Sequence, residues 1–125
     1  MKRVTTTVSG SSPKHGHAVF TTSGANGAKC EIAFDAPHVG TFAYCVQNRH
    51  QNAFRAGVSM QPSGHISLCQ GKKCARNPDG HPLNVGKTVT VGPYQCTVMS
   101  HGVLCDIAAT GRGFLIGGSG VQQVS

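Results

Sequence analysis

The chain has no Trp, four Leu (68, 83, 104 and 115) and four acidic side chains (Glu31, Asp35, Asp79 and Asp106) in 125 residues. Few carboxylates leave little for general acid–base chemistry, which needs tuned acids or histidines gathered in a cleft. Five Phe and two Tyr are the whole aromatic supply, so the core is lean. No stretch approaches the roughly 20 apolar residues that cross a bilayer as a helix. Met1-Lys2-Arg3 is followed by Thr and Ser rather than an apolar run, so no signal peptide is legible. There is no N-x-S/T acceptor, no G-x-S-x-G nucleophile turn and no solenoid-type repeat. The expected reading is therefore not an enzyme, with no catalytic residues, no metal site and no cofactor.

What the chain does have is Gly, 17 of them, with six Pro and six Cys. Many turns and short strands follow from that mixture. The cysteines form three couples near in sequence: Cys30 with Cys45, Cys69 with Cys74, and Cys96 with Cys105. Zinc ribbons and knuckles keep about two to four residues between paired ligands. That pattern needs two such pairs, and here the last two couples enclose four and eight residues, so the set does not fit it and a disulfide framework is preferred to a metal site. Disulfides place the chain in an oxidising compartment, secreted or at the cell envelope. An export signal or anchor is then expected upstream of Lys2, with Met1 standing where it was removed.

Strand patterns organise most of the length. Residues 1–16 read as a tether, or as one strand over 4–8 followed by a loop, and 17–125 as a single β domain. Strands are expected over 17–22, 28–34 and 41–47, then a single helical turn within 48–54. Residues 56–60 and 65–69 read as a hairpin through a type I turn at Gln61-Pro62-Ser63-Gly64. A basic, Pro/Gly-rich excursion covers 70–84, strands return at 87–91 and 114–116, and 117–125 reads as a glycine-rich tail. The final hairpin has a definite register: pairing Cys96 with Cys105 sets Thr97 against Leu104 and Val98 against Val103. Residues 99–102 then form its loop. The fold expected is a small, disulfide-stapled antiparallel sandwich or partly open barrel of about seven or eight short strands.

The run Gly92-Pro93-Tyr94-Gln95-Cys96 through Gly102-Val103-Leu104-Cys105 to Gly111-Arg112-Gly113-Phe114 resembles the C-terminal part of small exported proteins and lipoproteins of actinobacteria, mycobacteria especially. Ser23 to Cys30 and Leu83-Asn84-Val85-Gly86 are similar to other parts of that pattern, so the resemblance spans about residues 20–121. Arg112 stands where many such proteins carry His. The resemblance implies export, disulfides and an all-β fold, and it supplies no catalytic residues.

Formal charge is +7, with a pI near 9.4. Such a balance suits anionic surfaces, although it also serves plain solubility. The basic residues are scattered except at Lys72, Lys73 and Arg76. If Cys69 and Cys74 close that loop, the lysines and Arg76 sit on one projecting lobe, which Arg49 and Arg55 could join. The lobe is the anion-binding candidate, facing an unknown protein or a polyanionic envelope ligand. Nucleic acid is not the expected partner, because stacking aromatics are missing from the loop. The simpler reading is a solvated loop. His15-Gly16-His17 could chelate Cu²⁺ or Ni²⁺ adventitiously, but a polar tether explains it more simply. His65 and His101 read as exposed turn residues. The function expected is a non-catalytic exported or envelope-associated binding domain. The alternatives are a small secreted hydrolase or nuclease-like toxin, and a structural ectodomain module of a membrane-anchored protein.

Non-reducing peptide mapping is expected to join Cys30–Cys45, Cys69–Cys74 and Cys96–Cys105. A Cys30–Cys74 peptide, or six free thiols, contradicts the pairing.

Overall fold

Strands with one face on a core alternate buried and half-buried side chains. This pattern runs without a break through β2 (Gly16–Thr21) and β9 (Tyr94–Met99). The computed structural model describes residues 4–6, 16–48, 55–75 and 80–125, with the backbone alone for 4–6. The remaining strands are β1 (Val4–Thr6), β3 (Ala28–Ala36), β4 (Gly40–Gln47), β5 (Ala56–Met60), β6 (Ile66–Gln70), β7 (His81–Pro82), β8 (Lys87–Val91), β10 (Gly102–Ile107), β11 (Gly113–Gly117) and β12 (Gly120–Val124). They form two six-stranded sheets, ordered β1-β8-β9-β10-β11-β12 and β6-β5-β4-β3-β2-β7. Among the described residues no strand pairs across the two sheets, so the arrangement is a sandwich and not a closed barrel.

The all-β, disulfide-stapled sandwich matches the sequence expectation; the strand inventory is larger. Among the described residues twelve strands stand in place of seven or eight. β7 has two residues and β1 three, too short to show alternation. The glycine-rich tail is not a tail: β12 pairs with β11 from Val124↔Gly113 to Gly120↔Gly117. Two pairings, β1 with β8 and β2 with β7, are parallel, and the rest are antiparallel. Within the expected tether, Val4–Thr6 takes up the strand alternative, and residues 7–15 lie outside the described set, as does the expected helical turn beyond Asn48. A short 3-10 turn at Gly71–Lys73 is the helical element among the described residues.

The hairpin registers hold. Cys105 faces Cys96, Leu104 faces Thr97 and Val103 faces Val98. Pairing continues one step further, to Gly102↔Met99, so Ser100-His101 alone makes the turn. Gly102 is needed for a tertiary reason as well as its φ of +149: a Cβ there would run into the Ile116 carbonyl of β11. At the other hairpin, Gly64 N–H donates to Gln61 O at 2.9 Å, closing the expected turn.

Each sheet contributes one central row of inward residues. In one it is Phe20, Cys30, Cys45, Val58 and Leu68; in the other Val89, Cys96, Cys105, Phe114 and Gln123. Both cross-strand disulfides lie in these rows, Cys30–Cys45 and Cys96–Cys105, and their sulfurs meet at the centre, with Cys45 Sγ and Cys105 Sγ 3.9 Å apart. The third, Cys69–Cys74, is peripheral. Closing loops of 15, 5 and 9 residues contributes about 2–3 kcal/mol each in the loop-entropy account. That is substantial for a core whose largest fully buried side chains are Tyr94, Phe20 and Phe114.

Tyr94 also ties the sheets through its hydroxyl, which donates to Met60 O at 3.0 Å. Burial raises its pKa to about 12. Because the folded state favours the neutral phenol, this contribution to stability is complete below the ordinary tyrosine value of about 10 and is lost as pH rises through about 12. Tyr94→Phe removes a buried donor and is expected to cost about 1–3 kcal/mol at neutral pH. It should also reduce the loss of stability between those two pH values, both measurable by chemical denaturation across pH.

Candidate functional site

The lobe begins where β6 ends. Cys69 and Cys74 are bonded, and the 3-10 turn Gly71–Lys73 makes up three of the four residues between them. Gly71 is buried with φ +61, a conformation in which a side chain is strained. Its N–H donates to Arg55 O at 2.6 Å, and the Cys74 N–H donates back to Gly71 O at 3.1 Å. Lys72 and Lys73 project from this turn into solvent.

Two side chains, one on β4 and one just ahead of β5, hold the lobe from below. Arg55 Nη2 donates to Cys74 O at 3.3 Å, and the Tyr44 hydroxyl donates to Ala75 O at 2.6 Å. Tyr44 lies on β4, and its phenol pKa is raised by burial, with the positive charge of Arg55 pulling the other way. Space for the disulfide comes from Gly57, which pairs with Cys69 across β5 and β6. A Cβ at Gly57 would stand 2.6 Å from Cys69 Sγ. A lone glycine inside a strand signals such a close approach, and this one was visible in the sequence.

Of the five basic candidates, Lys72 and Lys73 are together and exposed. Arg55 is brought to the lobe but is only 9% exposed, so it serves as a support beneath the lysines rather than as a surface contact. Its Nε has no hydrogen-bond partner among the described residues. Arg49 and Arg76 lie outside the described residues. The supports Tyr44 and Arg55 reach the lobe across 31 and 19 positions of chain, and nothing local in the sequence marks them as its partners.

Beside the lobe runs a groove of about 440 Å³, lined by Ala56, Gly57, Leu68, Cys69, Lys73 and Val121 among others. Two smaller hollows, about 280 and 180 Å³, flank Asn26 at one end of the sandwich and carry no carboxylate. There Asn26 accepts from Gly118 N–H at 2.9 Å and donates to Ser100 O at 3.3 Å, joining three turns. Elsewhere Glu31 takes a 2.7 Å contact from His17 Nε2 on the neighbouring strand, so His17 lies in the strand expected from residue 17 and the tether explanation of His15-Gly16-His17 does not extend to it. Among the described residues no group of three or more His, Cys, Asp or Glu could hold a metal ion. No described helix is long and apolar enough to cross a membrane. His65 and His101 are exposed, as read from their turns.

Tyr44→Phe is expected to lower stability by about 1 kcal/mol. It should also accelerate amide hydrogen exchange of Gly71 and Cys74 while leaving β9 and β10 unchanged. Uniform acceleration across the sandwich would mean that Tyr44 serves the core and not the lobe. Comparison with protein-family models, with curated proteins and with solved structures finds no match, so the function has to be argued from the chemistry of these residues.

Proposed function

We propose that the chain is a non-catalytic binding domain working outside the cytosol, at an envelope of the actinobacterial kind or secreted beyond it. In this reading the Cys69–Cys74 lobe contacts a partner bearing carboxylate or phosphate groups. Three disulfides and no free cysteine are compatible with an extracellular, disulfide-stabilised domain.

One observation carries the anionic contact. Lys72 and Lys73 are exposed on a turn fixed by a disulfide and by hydrogen bonds from Gly71, Arg55 and Tyr44, and residues 55–75 contain no acidic side chain. Among the described residues no carboxylate forms an ion pair with either lysine, and little conformational freedom of the backbone remains to be lost on binding. The side-chain supports come from Tyr44 on β4 and from Arg55 just ahead of β5. Ammonium groups attract anions as point charges, without the forked geometry of arginine, so the lobe favours charge density over a particular oxyanion shape.

Heparin serves as a polyanion probe. Lys72→Gln with Lys73→Gln should elute from immobilised heparin at clearly lower salt than the wild type and flatten the dependence of affinity on salt. A charge-matched control, Lys87→Gln with Arg112→Gln, should shift elution much less. Equal shifts for the two pairs would reduce the lobe to its share of the overall charge and overturn the reading.

A further inference from the structure

The inner face of one sheet runs past the edge of the other. Residues directly opposite in an antiparallel pair point to the same face. Leu68 is opposite Val58, which is completely buried in the core. Two residues earlier, Ile66 is opposite buried Met60 and packs against the core. Leu68 thus occupies an inward position, yet it is 69% exposed. Across from it, β12 offers Val121, which packs on the core, and Gln123, which is exposed. Leu68 and Val121 line the 440 Å³ groove, and Lys73 stands at its side.

Both strands that bound this groove are the last of their sheets. Among the described residues β6 pairs with β5 alone and β12 with β11 alone. The outer edge of β6 carries a row of backbone donors and acceptors with no partner strand among the described residues, next to an uncovered apolar position. An added strand would satisfy the first and cover the second. Charge selects what that strand is. Residues 55–75 and 117–125 contain no acidic side chain, while Lys72 and Lys73 project beside the groove. A second copy of this chain, paired edge to edge, would bring together two basic edges, neither with an acidic side chain in these segments, on a protein that carries +7.

We infer that the β6 edge receives an extended segment of a partner protein, added as a further strand, with an apolar side chain over Leu68 and Val121 and acidic side chains against Lys72 and Lys73. This rests on the reading of the lobe as an anionic contact and names the partner for it. Main-chain hydrogen bonds supply affinity in such additions, and alternate side chains supply specificity.

A random dodecapeptide library displayed on phage, selected on the intact chain, tests this without presupposing a sequence. Enriched peptides should place apolar residues at alternate positions and carry Asp or Glu. Made synthetically and titrated by fluorescence anisotropy, they should bind Leu68→Glu and Lys72→Gln/Lys73→Gln about tenfold or more weakly. N-methylation of alternate peptide amides should abolish binding to the wild type. Because Leu68, Lys72 and Lys73 are exposed, all variants should keep the wild-type melting temperature. No enrichment, or peptides indifferent to Leu68→Glu and to N-methylation, overturns strand addition; if heparin retention still depends on Lys72 and Lys73, the lobe reading survives. Loss of both effects overturns the two together. A concentration-dependent dimer that Leu68→Glu dissolves would put a second copy on this edge and overturn the heterologous partner.

Discussion

The contact between two disulfides at the centre of the sandwich organises everything around it. Cys30–Cys45 and Cys96–Cys105 each join neighbouring strands of one sheet, so neither links the sheets covalently. They touch instead, with Cys45 Sγ 3.9 Å from Cys105 Sγ. Each bridge fixes the pairing of the two strands that carry it, and a slip of one residue would turn every side chain of a strand to the opposite face. Fixing β3 against β4 and β9 against β10 therefore sets which residues face inward in both sheets. Polarizable sulfur takes the place that large aromatics hold in richer cores.

Because the staples lie within the sheets, the stacking of one sheet on the other depends on packing and on a few buried polar bridges. Tyr94 joins β9 to the Met60 carbonyl of β5. Gln47 of β4 donates to Gly117 O at 2.6 Å while accepting from Ala56 N–H at 2.9 Å. Asn26 holds three turns at one end. These bridges give direction that hydrophobic contact lacks. An apolar sandwich of small side chains could slide, but a buried Gln47 whose amide nitrogen and oxygen are both engaged is satisfied at one offset of the sheets.

Legibility followed distance along the chain. The Cys96–Cys105 hairpin could be read to the residue because cysteine spacing, apolar alternation and a turn glycine lie within ten residues and agree. β12 could not, because Val121-Gln122-Gln123-Val124 breaks the period of two and Gly117-Gly118-Ser119-Gly120 imitates a loose end. Its strand character comes from pairing with β11, a tertiary cause. At the lobe, the lysines and the disulfide were visible as a cluster, and Gly57 carried a signal. Tyr44 and Arg55 looked like a strand residue and a surface cation. Only the folded sheet brings them beneath Cys74 and Ala75.

The exposed edge follows from the same row that builds the core. Beginning at Phe20, the inward row of one sheet runs through both sulfurs of Cys30–Cys45 to Val58, all completely buried, and ends on Leu68 in the open. The facing row ends on Gln123, a polar residue that can meet water. A sandwich that merely terminated here would be expected to end both rows on polar residues, as the second one does. Proteins commonly place lysine near a free edge to prevent like edges from joining. Lys72 and Lys73 fit that role toward a second copy of this chain, and the same two charges attract a segment of opposite sign. An apolar inward position combined with a guard of one charge thus makes the edge selective rather than blunt. It resists itself and admits an acidic strand.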